Sequence, residues 1–299
     1  RKLAISMGIG GAGFIEWIWN TNPFMKSDNE AAIGLFRVDG TAKPELRAVT
    51  EYARFFAAQR HQMQGKQGEG VVLVIPHSNM FSTRNSASDA TRQCVRTMYY
   101  HCNVPMQAVS EYRLNLLKEI PQLLILPSPR VLCDQAWEEL IGIVEKGAVL
   151  LLTGAIDANE HWLERPRLKQ LGINVTTRPV AQEESIVIGR KEYRVSYRGD
   201  KLQRIEKSVV EGGKIPAIAI IRRGKGKILW SPLPVEISDT PETTVALYRF
   251  ALKEAGVESS CEVDQQNPSV LIAPTVFNEA VLYTFVSECD RDTEVKWTH

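Results

Sequence analysis

The sequence predicts an α/β protein built on a parallel sheet, and three observations predict it. Short runs of Leu, Ile and Val recur at 71–76, 123–127 and 148–153. Amphipathic helical patterns separate them, as at 86–100 and 134–145. The runs do not alternate apolar with polar, so both faces of the sheet are covered, as in strands joined by helical crossovers.

In chain order, RKLAISM fits the last turns of a helix, stopped by Gly8 or Gly10. Residues 12–19 read as a strand, because β-branched and aromatic residues dominate them. Strand alternation puts Trp17 and Trp19 on one face and Phe14, Glu16 and Ile18 on the other. Pro44 then opens a helix whose apolar stripe is Leu46, Val49, Tyr52, Ala53 and Phe56. The polar stretch QRHQMQGKQGEG (59–70) has no apolar period and reads as a linker.

From residue 71 one grammar repeats: strands at 71–76, 105–109, 123–127 and 148–153, with helices at 86–100, 111–119, 134–145 and near 157–171. The segment 185–231 changes to short antiparallel strands, with Gly224 and Gly226 marking a hairpin. A helix over 241–255 ends at Gly256. Residues 259–299 carry no helical period and read as a small β-module. The domains are therefore expected at 1–58, 71–258 and 259–299, with 59–70 between the first two.

Lys and Arg number 36 against 35 Asp and Glu, so no basic field points to nucleic acid or an anionic membrane. No apolar run reaches the roughly 18 residues of a membrane span, and no A-x-A site follows the N-terminal residues. Arg1 stands where an initiating Met would, which suggests a processed or partial chain. Cys94, Cys102, Cys133, Cys261 and Cys289 form no C-x-x-C, so reduced buried thiols and a cytoplasmic location are expected. Cys94, His101 and Cys102 lack zinc spacing, and neither a metal nor a cofactor is expected.

Gly8, Gly10 and Gly13 spell G-x-G-x-x-G, the dinucleotide-binding pattern. That pattern works only between a strand and a helix, with an acidic residue ending a second strand about 20 residues on. Here a helix precedes and FIEWIWNTNPF follows, and Asp28 and Glu30 sit in a polar loop. The glycines therefore read as a turn and not as a phosphate cradle.

GAGFIEWIWNTN, followed by SDNEAAIGLFRVDGTAKPELRAVTEYARFF, resembles the eighth strand and closing helix of a glycoside-hydrolase (β/α)8 barrel. The phrase GLFRVDGTAKPE is the most distinctive part, and the resemblance is to β-galactosidase-like families. In those families the barrel precedes a flavodoxin-like (class I amidotransferase-like) trimerisation domain and a small β-sandwich. The resemblance implies a retaining hydrolase acting on β-galactoside-like or related sugars, working as a homo-oligomer, trimer or dimer. It implies catalytic glutamates at the ends of the fourth and seventh strands, on a barrel polypeptide upstream of this chain. Glu16 would be the carboxylate of the last strand. Trp17 or Trp19 would floor a sugar subsite, and Asn20 would bond a hydroxyl.

A different class stays open: a stand-alone α/β binding or assembly module without catalysis. A third reading is an amidotransferase-like hydrolase using Cys133, but Cys133 comes six residues after Pro127, past the strand-to-helix elbow such a nucleophile needs. His77, Ser78 and Ser82 lie where open α/β sheets bind ligands, although Ser and Asn loops commonly satisfy their own backbone. Arg222, Arg223, Lys225 and Lys227 crowd one hairpin, without the interleaved aromatics that nucleic acid would need.

Overall fold

In the computed structural model the Leu/Ile/Val runs become one six-stranded sheet. Its strands are β1 (Val71–Ile75), β2 (Gln107–Ser110), β3 (Leu123–Leu126), β4 (Val149–Thr153), β5 (Ala219–Arg223) and β6 (Gly226–Ser231). Their order is β5-β6-β4-β3-β1-β2. All neighbours run parallel except β5, which is antiparallel to β6. The structure describes residues 2–11, 13–16, 18–26, 31–80, 86–205, 208–210, 216–259, 261–264 and 267–298. The chain divides into two units, Arg1–Gln67 with Ser269–Thr293, and Gly68–Pro268 with Glu294–His299.

The sheet lies in the larger unit and is buried on both faces. Val71, Leu73, Leu123, Ile125 and Leu151 face α1 (Ser86–Arg96) and α3 (Glu242–Ala255), through Cys94, Leu247 and Ala251. Val72, Val74, Leu124, Leu126 and Leu150 face α2 (Asp134–Glu145), through Trp137, Leu140 and Val144. Adjacent residues point to opposite faces of a strand, so only runs apolar at every position can serve both layers. Gly256, with φ 66°, terminates α3 in the left-handed conformation.

Tertiary contacts overrule several local expectations. The 86–100 helix ends as α-helix at Arg96 and continues as a π-helical turn, Thr97–Cys102. The 111–119 helix is a 3-10 turn, Glu111–Leu116. The expected helix near 157–171 shrinks to Arg167–Gln170, and Ile156–Ala158 pairs instead with Arg130–Val131. Arg167 explains why. Its buried guanidinium donates to the carbonyls of Ala158 (2.9 Å) and Leu132 (2.7 Å) and to Asp134 (2.8 Å), which pins the segment in extended form.

Within 185–231, Glu183–Ile188 and Lys191–Ser196 do form an antiparallel pair. KLQRIEKSVV instead gives a short helix, Asp200–Arg204, and a strand, Ser208–Val210. β6 lies parallel to β4, so this segment also supplies the fifth parallel strand. The β5–β6 turn falls at Gly224 and Lys225, and a side chain on Gly226 would strike the carbonyls of Val144 and Ala148.

In the smaller unit the helix Lys2–Gly8 meets the hairpin of Val270–Val276 and Val281–Ser287, and Thr275 Oγ1 donates to the Gly8 carbonyl at 2.6 Å. Residues 259–299 are thus shared between the units, since Trp297–Thr298 pairs with Glu262–Val263 in the larger one. The helix Pro44–Gln59 forms where Pro44 predicts, yet none of its residues is buried. The strand expected over 12–19 is absent among the described residues. Residues 13–16 and 18 have no ladder, and Asn20 makes a lone parallel bridge to Phe36. Aromatic and β-branched residues favour a strand only where a neighbour takes up its hydrogen bonds, and among the described residues no such neighbour flanks 13–16 or 18. Among the described residues no helix is long and apolar enough to cross a membrane.

Leu124 is fully buried in the central strand. Leu124→Ala is expected to cost about 2–5 kcal/mol, read as a lowered urea midpoint with unchanged slope.

Candidate functional site

The GLFRVDGTAKPE phrase builds a clasp around Trp19 and Asn20. The Trp19 carbonyl accepts from the N–H groups of Leu35 (2.8 Å) and Phe36 (3.1 Å), and Thr21 N–H donates to the Phe36 carbonyl at 2.9 Å. Leu35 is the buried anchor of the clasp. Beyond it Arg37 donates to the Ala42 carbonyl at 2.7 Å, and Asp39 accepts from the Thr41 hydroxyl at 2.7 Å. The Thr41 hydroxyl and N–H hold the Asp39 carboxyl below its ordinary range. Gly34 is required here. Its φ is 117°, and a Cβ would lie 2.8 Å from the Asn20 carbonyl carbon and the Thr21 nitrogen.

The clasp leaves an aromatic surface. Trp19 is 58% exposed, and its ring lies 5.2 Å from that of Phe36 at a 43° tilt. Asn20 is exposed beside it. Glu16 is exposed and makes no hydrogen bond or ion pair among the described residues. Trp17 lies outside the described residues. Phe36 was not singled out from the sequence, although its place two residues after Gly34 ties it to the same turn.

A second polar cluster sits at the carboxyl ends of β1, β2 and β3. His77 Nδ1 lies 2.7 Å from Ser110 Oγ, and Ser78 Oγ lies 2.9 Å from the Tyr112 hydroxyl. The buried Glu111 carboxylate accepts from the N–H of Ser78 and, at 2.6 Å, from that of Cys133. One carboxylate therefore ties together the loops that follow three strands. Cys133 precedes α2 with its N–H bound to Glu111, while the His77 imidazole engages Ser110. No Cys–His contact results, so the amidotransferase-like arrangement is not assembled among the described residues. Ser82 lies outside them.

Below this cluster is a buried acid that sequence reasoning missed. Glu236, 3% exposed, accepts from Ser128 Oγ (3.0 Å), Thr153 Oγ1 (2.8 Å) and the Tyr248 hydroxyl (2.9 Å). Ser128 has φ 46° and its N–H donates to Thr153 Oγ1 at 2.9 Å, so the network closes a strained turn after β3. Burial pushes the Glu236 carboxyl up, and the three hydroxyls offset only part of that. With Ser128 buried, its hydroxyl is out of reach of a substrate. The sequence signal was the carboxylate inside the apolar run PLPVEI. Among the described residues no group of three His, Cys, Asp or Glu could hold a metal ion. Lys227, from the basic hairpin, pairs with Glu254.

No protein-family model matches the chain, and no curated protein matches it by sequence. Solved structures do. The β-galactosidase from Bacillus circulans sp. alkalophilus aligns with 94% of this chain and 44% of its own, at TM-score 0.69 and 12% identity. The β-galactosidase from Rahnella sp. R3 aligns with 91% of this chain and 43% of its own, at TM-score 0.63 and 15% identity. An exo-β-1,4-mannosidase from Opitutaceae bacterium strain TAV5 aligns with 81% of this chain and 46% of its own, at TM-score 0.56 and 18% identity. The chain therefore has an α/β fold like that of parts of β-galactosidases, and it spans under half the length of each of these enzymes.

Gly34→Ala is expected to destabilise the smaller unit by about 1–3 kcal/mol, seen as faster limited proteolysis within 18–43. Glu236 gives a pH test. Its folded-state pKa is raised by burial, so its stabilising contribution is full below the unfolded carboxylate value and is lost as pH climbs toward the folded one. The melting temperature of Glu236→Gln should therefore gain on that of the unsubstituted chain as pH rises from about 4 to 7. A gap independent of pH would refute the assignment.

Proposed function

We propose that this chain is the C-terminal portion of a retaining glycoside hydrolase acting on β-galactoside-like or related sugars. In this reading residues 1–58 supply the closing segment of a (β/α)8 barrel, whose acid and nucleophile reside on an upstream barrel polypeptide. Residues 71–258 serve oligomerisation, and 259–299 are an accessory β-region. The order β2-β1-β3-β4-β6 corresponds to the doubly wound, flavodoxin-like pattern, which favours this reading of 71–258.

One observation carries the proposal: the smaller unit exposes the apolar surface that a barrel segment would bury. Ile15 is 95% and Phe24 94% exposed, and the helix Pro44–Gln59 buries no residue despite its apolar stripe. Large apolar side chains left this exposed commonly mark a surface that a partner covers. A strand at 12–19 would likewise gain its missing ladder from neighbouring staves. Trp19 then offers a flat apolar face to a pyranose ring, with the Asn20 amide beside it for a hydroxyl. Glu16 alone cannot supply the pair of carboxyl groups that glycoside hydrolysis needs.

The chain by itself should not hydrolyse aryl β-galactosides or aryl β-mannosides. Activity should appear when it is combined with a polypeptide carrying seven preceding βα units. Trp19→Ala should then lower kcat/KM by roughly tenfold, about 1.4 kcal/mol of ring contact. Turnover by the chain alone that Glu16→Gln abolishes would move the catalytic pair onto it and sink the proposal.

A further inference from the structure

The larger unit contains a cavity of about 550 Å³ whose lining includes none of the Glu111 or Glu236 clusters. One wall is the end of the π-helical turn, His101 and Cys102, with Asn103 following. The other is the last turns of α3, with Arg249 and Lys253, joined by Val257, Glu258, Cys261 and Val263. Its size falls within the roughly 300–1,000 Å³ typical of small-molecule sites.

Two independent features make this more than a gap in packing. First, a π-helix is a rare and costly widening of a helix that recurs at functional sites. Here it ends where Asn103 turns left-handed (φ 53°) and donates its N–H to the Met98 carbonyl. Second, the charge is unbalanced. Arg249 and Lys253 lie one turn apart on α3 and form no ion pair among the described residues, and Glu258 is the only carboxylate among the described side chains that line the cavity.

The Arg249 guanidinium is already oriented, because it donates to the His101 carbonyl at 2.9 Å. A guanidinium held in this way still presents further N–H groups in a plane, the geometry that matches carboxylate and phosphate oxygens. Val104, Leu252 and Val257 give the rest of the cavity an apolar lining. Burial and the charges of Arg249 and Arg96 hold the His101 imidazole below its ordinary range, so near neutral pH it offers both a donor and an acceptor.

We propose that this cavity binds a small oxyanion-bearing molecule, a phosphate monoester or a carboxylate on a compact body. Arg249 and Lys253 hold its oxyanion, and its body lies against Val104, Leu252 and Val257. The site does not depend on the carbohydrate reading above; failure of glycosidase activity to appear would leave it standing.

Isothermal titration of the full chain with glucose 6-phosphate, glucuronate and glucose separates the alternatives, since the three share one pyranose body and differ in charge. The expected result is saturable binding of one anionic probe, tighter than about 1 mM, and none of glucose. Preference for the ester or for the carboxylate identifies the head group. Arg249→Gln with Lys253→Gln should weaken binding at least tenfold. Should that double variant fold poorly, Lys253→Glu alone, on the exposed face of α3, should weaken it in the same direction, and added salt should weaken binding to the unsubstituted chain. No heat with either anionic probe up to about 10 mM overturns the proposal. So does equal binding of glucose, or unchanged affinity in the charge variants.

Discussion

The larger unit depends on one constraint: its parallel sheet is apolar on both faces, so both must be covered. Leu123, Leu124, Ile125 and Leu126 are all fully buried, two toward each layer. Each such side chain is worth about 1.5–3 kcal/mol when withdrawn from water, and none of that is gained unless α1, α2 and α3 are in place together. The crossovers, the helix stripes and the short turns are all consequences of that requirement.

The same burial explains why carboxylates appear at the strand ends. Loops returning over a covered sheet carry backbone groups that water cannot reach, and each needs a partner. Glu111 supplies it for the N–H groups of Ser78 and Cys133. Glu236 gathers the hydroxyls of Ser128, Thr153 and Tyr248 behind a left-handed turn. Asp134 performs a related task outside the sheet. Although partial burial works the other way, Asn159, Arg165 and Arg167 together lower its pKa to about 2. The ends of the strands thus hold polar chemistry that is spent on architecture, and the open cavity lies at the other end of α3.

The smaller unit follows different physics. Its order comes from local turns, with Gly34, Leu35 and the Arg37–Thr41 contacts closing a clasp, and from a helix laid on a hairpin. Apolar side chains such as Ile15 and Phe24 stay almost wholly exposed, and that exposure is what connects it to the barrel reading.

How much of this was legible before folding can be judged residue by residue. Strands at 71–75, 123–126 and 149–153, the helix at 134–145 and the Gly256 stop followed from apolar period and backbone stereochemistry, which are local properties. The clasp around Trp19 was visible as a distinctive phrase, but the reason for Gly34 was not. That reason is a close approach to Asn20 and Thr21, more than ten residues away in the chain. The strand read at 12–19 and the helix near 157–171 failed for one cause: a segment's neighbours decide where its backbone hydrogen bonds go. Arg167 gave no sign in the sequence that it would be buried, nor Glu111 that it would bridge two loops. By itself the sequence determined which segments are apolar and where they must turn. The tertiary structure decided which polar groups meet, because pairing between residues far apart in the chain leaves no periodic trace.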